Sequence, residues 1–248
     1  MKRFIAVQHS YSEFLGAIEK QLENRGIGFN YFRPFTGQSL PASALQYDAL
    51  WLLGGAYAPA DREHTPWIDE ELRLLRAFGH ARRPVVGLGF GALLIAQAAG
   101  GEPAADGAPY AYWTTARATA AGAADPVAQA IDGRQVLVAA SGRVRLPAGV
   151  EPVAVDADGE WIALRHGEAY ALLFRPEMTP GMIEDTIMED ERPLPDAISE
   201  VLARARVLWP EYRETADRVV AALVTGLDLM QERRKPPVFR IHAVSGEQ

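Results

Sequence analysis

Residues 83–101 read RPVVGLGFGALLIAQAAGG, an apolar strand, a tight glycine turn and an apolar helix in direct succession. A strand that runs straight into a buried helix points to a parallel sheet, because the helix must carry the chain back to start the next strand. The turn has the form of a nucleophile elbow, G-x-(nucleophile)-x-G, which presents one side chain at the top of an α/β sheet. Its glycines are Gly87, Gly89 and Gly91, and the presenting position is itself Gly89. The chain contains no cysteine, which excludes a thiol nucleophile, a disulfide and a thiolate metal site together.

The same alternation extends towards the N-terminus. Phe4–Gln8, Gly28–Phe32, Tyr47–Leu53 and Pro84–Leu88 read as strands. Glu13–Arg25 carries Phe14, Ile18 and Leu22 on one helical face and is closed by Gly26. Pro66 opens a helix followed by Trp67–Phe78, and Ala92–Ala99 reads as a buried helix. From about Tyr110 helical periodicity fades until about Glu200. Gln135–Ala139, Val150–Val155, Trp161–His166 and Ala169–Phe174 read as short strands between turn signals, and Ala116–Ala130 as a loop. Glu200–Trp209 and Glu211–Glu232 read as helices. The expected fold is a flavodoxin-like three-layer α/β domain over residues 1–232, with a mostly parallel central sheet, helices on both faces and an added antiparallel stretch. Residues 233–248, RRKPPVFRIHAVSGEQ, form a tail that begins basic and turns strand-prone, a candidate interface segment.

Composition narrows the function classes. Lys plus Arg minus Asp plus Glu gives 25 − 32 = −7, which leaves no footprint for nucleic acid or an anionic membrane. No apolar run approaches the roughly 18 residues of a spanning helix, and the first apolar run is too short for a signal peptide, so a cytoplasmic protein is expected. Five scattered histidines lack HExxH-type spacing, and neither a metal nor a cofactor is expected.

Three segments, YDALWLLGGAY (47–57), residues 66–101 around the elbow, and AYALLFRPEMTP (169–180), resemble in order and spacing the class I glutamine amidotransferases, glutaminase domains with a Cys-His-Glu triad. The resemblance covers roughly residues 1–232. It implies that the family's cysteine falls on Gly89, its histidine on Arg175 and its carboxylate on Glu177. A glutamine after the family's elbow falls on Leu93, and a histidine-bearing pocket loop falls near Ala140-Ser141. Gly54, Gly55 and the amide of Phe90 correspond to the backbone that faces the family's developing oxyanion.

Chemistry independent of the family points the same way. An acyl-enzyme route needs a nucleophile, a base and a group that orients the base. Gly89 offers no attacking atom, and an arginine guanidinium stays protonated and accepts no proton. Gly89 reads as glycine relieving a strained elbow, or as space for a ligand to meet the backbone. Arg175 reads as an ion pair with Glu177 or as a fork for a carboxylate or phosphate. Ser141 is a candidate substitute nucleophile with no histidine placed beside it by sequence. Three functions follow: a catalytically inactive binding, scaffold or regulatory subunit of a synthetase or transferase-type partner (or a homo-oligomer), a small-anion sensor, and a hydrolase with relocated catalytic residues.

Overall fold

The computed structural model describes residues 2–189, 193–233 and 235. Its first half runs β1 (Lys2–Val7), α1 (Ala17–Glu23), β2 (Ile27–Phe32), β3 (Ala49–Leu52), α2 (Ile68–His80), β4 (Val85–Leu88) and α3 (Phe90–Ala98). There follow β5 (Glu102–Pro103), β6 (Pro109–Thr115), β7 (Arg117–Ala118), α4 (Pro126–Ile131), β8 (Gln135–Ser141), β9 (Val144–Arg145) and β10 (Ala154–Val155). The chain closes with β11 (Trp161–His166), β12 (Ala169–Leu172), α5 (Pro180–Glu189) and α6 (Ile198–Gly226).

One sheet of eight strands runs in the order β2-β1-β3-β4-β12-β11-β10-β7. The first five strands are parallel, and β11, β10 and β7 continue the sheet in antiparallel pairs. This is the α/β fold with a mostly parallel sheet that the elbow segment demanded. β3 and β4 are buried at every residue because helices cover both faces, which explains why ALWL and VVGL are unbroken apolar runs. Strand order reverses between β1 and β3, and in such sheets ligands sit beyond the carboxyl ends of the strands at that point. His9, Gly54, Gly89 and Arg175 all follow the carboxyl ends of these neighbouring strands.

The three elbow glycines have separate physical reasons. Gly89 holds φ +52°, a left-handed value that glycine adopts without a Cβ penalty. Gly87 and Gly91 are required by close approach. A Cβ on Gly91 would overlap the Leu52 carbonyl, and one on Gly87 would overlap the Gly91 carbonyl. Helix α3 therefore lies on backbone rather than on side chains. Gly91→Ala is expected to lower stability by about 1–3 kcal/mol through overpacking. Urea unfolding measures it, and an unmoved midpoint would mean that α3 slides off β3 at no cost.

Several expectations need correction. Helix α1 begins at Ala17 rather than Glu13, because Gly16 takes φ +49° and Glu13 turns inward. The segment read as a loop over Ala116–Ala130 contains β7 and the start of α4. Asp125 caps α4 by accepting from the amides of Val127 and Ala128, with Pro126 in the first turn. β6 and α5 lie where no regular element was expected, and the strand expected at Val150–Val155 shrinks to β10. The two expected C-terminal helices are one helix, α6, running through Pro210. Pro210 and Arg206 are exposed, so the carbonyl that loses its partner can be hydrated. No described helix is long and apolar enough to cross a membrane. Of the tail, only Arg233 and Lys235 fall within the described residues; the Arg233 amide and the Lys235 ammonium both meet buried Asp48.

Candidate functional site

Helix α3 starts at the elbow, and Gly89 presents only a hydrogen to the rim of the sheet. The space a side chain would take there is already filled. A Cβ on Gly89 would stand 3.0 Å from Nη1 of Arg175 and 3.2 Å from the Ala139 carbonyl oxygen. A Cβ on Gly54 would overlap the same guanidinium. The arginine follows β12 and lies flat against both glycine turns, with 2% of its surface exposed.

Every arm of that guanidinium is engaged. Nε donates to Glu177 Oε1 at 2.6 Å, Nη2 to Glu13 Oε1 at 2.7 Å, and Nη1 to the Ala139 carbonyl at 3.4 Å. Glu13 and Glu177 are themselves buried. Burial works against the Arg175 cation, but the carboxylates of Glu177 and Glu13 outweigh it and hold the group above its ordinary pKa. Burial pushes the Glu177 carboxyl up, and the Arg175 charge offsets this only in part, because one cation serves two acids. Glu177 Oε2 has no partner among the described residues. The arrangement is a buried one-cation, two-carboxylate cluster, and Arg175 accepts no proton.

A second buried pair stands behind the glycine turn. His9, after β1, places Nδ1 2.9 Å from the Gly54 carbonyl and 3.1 Å from that of Leu53. Its Nε2 lies 2.7 Å from Glu71 Oε1, and both side chains are fully buried. Carbonyl oxygens only accept, so Nδ1 carries a proton; a second proton lies between Nε2 and the carboxylate. His9 and Glu71 share that proton across the 2.7 Å contact. Burial lowers the His9 pKa, but the Glu71 carboxylate, the Gly54 carbonyl and the Glu13 charge together raise it more, and the net shift is upward. Because His9 holds the Gly54 carbonyl, the trans peptide aims the Gly55 N–H the opposite way. The His9 ring also meets the Phe90 ring edge-on at 4.9 Å. The amides of Gly55 and Phe90 donate to no protein acceptor among the described residues.

The structure thus brings together Gly54, Gly55, Gly89, Arg175 and Glu177. A small cavity of about 60 Å³ adjoins them, lined among others by Glu13, Gly55, Tyr110, Ser141 and Arg175. Ser141 closes β8 on its wall, and no histidine lines this cavity among the described residues. The side chains of Phe90 and Leu93 point elsewhere: both are fully buried and neither lines the cavity, because successive residues of a helix covered on all sides face the core. Sequence reasoning missed Glu13, His9 and Glu71. Glu13 looks like an ordinary first-turn acid, and Glu71 like part of an amphipathic helix. Only His9 carried a signal, as a polar residue at the carboxyl end of the first strand.

A sequence profile described as glutamine amidotransferase class-I matches residues 6–192. YfeJ, a glutamine amidotransferase-like protein of Salmonella typhimurium strain LT2, is 36% identical over 97 residues, 38% of this chain and 41% of that protein. The chain therefore aligns with less than half the length of this curated relative. The solved structure of a glutamine amido transferase from Methylobacillus flagellatus matches with a TM-score of 0.78 at 21% identity, over 98% of this chain and 100% of that one. A protein of Thermoplasma acidophilum named for a subunit of GMP synthase matches with a TM-score of 0.59 at 15% identity, over 94% and 98% of the two chains. At these identities the two structures speak for the fold alone.

Proposed function

The chain belongs to the class I glutamine amidotransferase family, and we propose that it is a member without glutaminase chemistry, acting by binding as a subunit of a partner enzyme. The observation that carries this reading is the Arg175 guanidinium beside Gly89, locked between Glu13 and Glu177. An acyl-enzyme needs an attacking atom and a base to take its proton. Gly89 has no such atom, and the group nearest it is a permanent cation. The unpaired amides of Gly55 and Phe90 are the remnant of an oxyanion hole, which alone gives roughly 10³–10⁴ over water.

The same contacts argue against an anion sensor built on Arg175, because a ligand would have to displace two buried carboxylates. Relocated hydrolysis at Ser141 draws no support from a wall without histidine. The subunit role rests on the fold's neighbours: the protein from Thermoplasma acidophilum is by name a subunit. Residues 1–232 would then be the amidotransferase-like domain and residues 233–248 a segment available to the partner.

The test is glutamine hydrolysis, read as ammonia release at high protein concentration. Loss of the nucleophile predicts turnover about 10⁶-fold below a working enzyme. Gly89→Cys is expected to stay equally inactive, because Arg175 occupies the thiol's space and no base replaces it. Ammonia release well above background from the parent protein would overturn the reading.

A further inference from the structure

At the opposite end of the sheet from Arg175, a crevice of about 430 Å³ opens between the last turns of α2 and α3 and the amino ends of β4 and β12. Its inner wall is built by Leu75, Val85 and Ile95 together with the buried side chain of Arg83. Its rim carries Arg76, Arg82 and His166, all exposed, together with the carboxylate of Glu168. None of the three basic side chains makes a hydrogen bond or ion pair among the described residues, and Glu168 pairs with none of them. In a chain of net charge −7, unpaired arginines over a mostly apolar hollow call for an explanation.

The ordinary explanation is that basic residues near helix ends complement the helix dipole and cap its last carbonyls. The backbone already does that capping. The Arg82 amide donates to the Gly79 carbonyl and the Arg83 amide to that of Phe78, the Schellman closure of α2. The last carbonyls of α3 likewise receive the amides of Ala99, Gly100 and Gly101. Arg82 also occupies the position where glycine is the usual residue, at φ +48°. Arg82 stands there against its own backbone preference, and its guanidinium donates to no carbonyl among the described residues.

We propose that this crevice binds a small phosphate monoester with an apolar body, its dianion held by Arg76 and Arg82 and its body against Ile95 and Leu75. Guanidinium forks match phosphate oxygens, and the volume falls within the roughly 300–1,000 Å³ of small-molecule sites. Glu168 repels any anion, but two arginines against one carboxylate leave a net positive rim whose attraction grows with ligand charge, which favours a dianion over a monoanion. The site is distinct from the Arg175 cluster, and its failure would leave the proposed function standing.

The test is calorimetric titration of the intact protein with phenyl phosphate, inorganic phosphate and benzoate. Saturable binding of phenyl phosphate is expected, at least about tenfold tighter than either of the other two. Arg76→Ala and Arg82→Gly are each expected to weaken it about tenfold or more. Arg82→Gly should at the same time raise the thermal midpoint of the ligand-free protein by a few degrees, because glycine relieves the left-handed residue. A purely structural arginine would instead lose stability and leave binding unchanged. Absence of saturable phenyl phosphate binding, or binding that both variants leave intact, would overturn the proposal.

Discussion

Arg175→Met is expected to destabilise the protein by about 3–5 kcal/mol at pH 7, the usual cost of removing one partner from a buried ionic cluster. Methionine fills much of the volume but leaves Glu13 and Glu177 buried without a cation. Their hydrogen bonds to Nη2 and Nε, at 2.7 and 2.6 Å, disappear with it. The triple variant Arg175→Met/Glu13→Gln/Glu177→Gln should recover most of the loss, since it removes the uncompensated charges as well. The loss in the single variant should also shrink as pH falls. Burial already raises the Glu177 carboxyl above its ordinary value, so its contribution is present below that value and lost as pH rises through the folded pKa. Urea unfolding of the three proteins at pH 4.5 and 7 measures all of this. A single variant within 1 kcal/mol of the parent would show that water reaches the cluster and that the cation is not its keystone.

The second large effect concerns His9. Glu71→Leu should cost about 3–5 kcal/mol near pH 6, because it leaves a fully buried histidine with no counter-ion for its charged form and no partner for Nε2. Glu71→Gln should be much milder at pH 8, since a glutamine amide can donate to a neutral Nε2 while Nδ1 still serves the Gly54 carbonyl. The sign of the pH dependence separates the two states. In the parent the folded His9 pKa lies above its ordinary value, so the pair's contribution is complete below about pH 6.5 and fades as pH rises through the folded pKa. In Glu71→Gln only the Gly54 carbonyl and the Glu13 charge still oppose burial, so the folded His9 pKa drops and stability falls as pH falls. Thermal midpoints from pH 5 to 9 would read this inversion. Parallel curves for the two proteins would mean that the ring never carries the second proton.

Much of the fold was legible because its elements announce themselves locally. Trp161–His166 is a strand with the expected bounds, and the β4 turn into α3 follows directly from VVGLGFGALLIA. Errors arose where two local signals compete. Pro210 divides a sequence pattern but not α6, because the Arg206 carbonyl it leaves without a partner belongs to an exposed residue where water can replace it. Pro180-Gly181 hides the start of α5 for the opposite reason: both are poor helix formers, yet they open a helix whose Met182 and Ile183 are buried in the core. Glu13 looked helical by periodicity, and Gly16 with its left-handed backbone turned it inward instead.

By itself the sequence determined the succession of parallel strands and covering helices, the glycine elbow, and the absence of any thiol, since each of these is written in neighbouring residues or in composition. Only the tertiary structure decided what stands in the elbow's empty place. Arg175 meets Glu13 across 162 residues of chain, and His9 meets Glu71 across 62. Periodicity records which face of an element is buried. Which charged groups face one another is set by strand order, where β1, β3, β4 and β12 lie side by side and deliver their ends to a single rim.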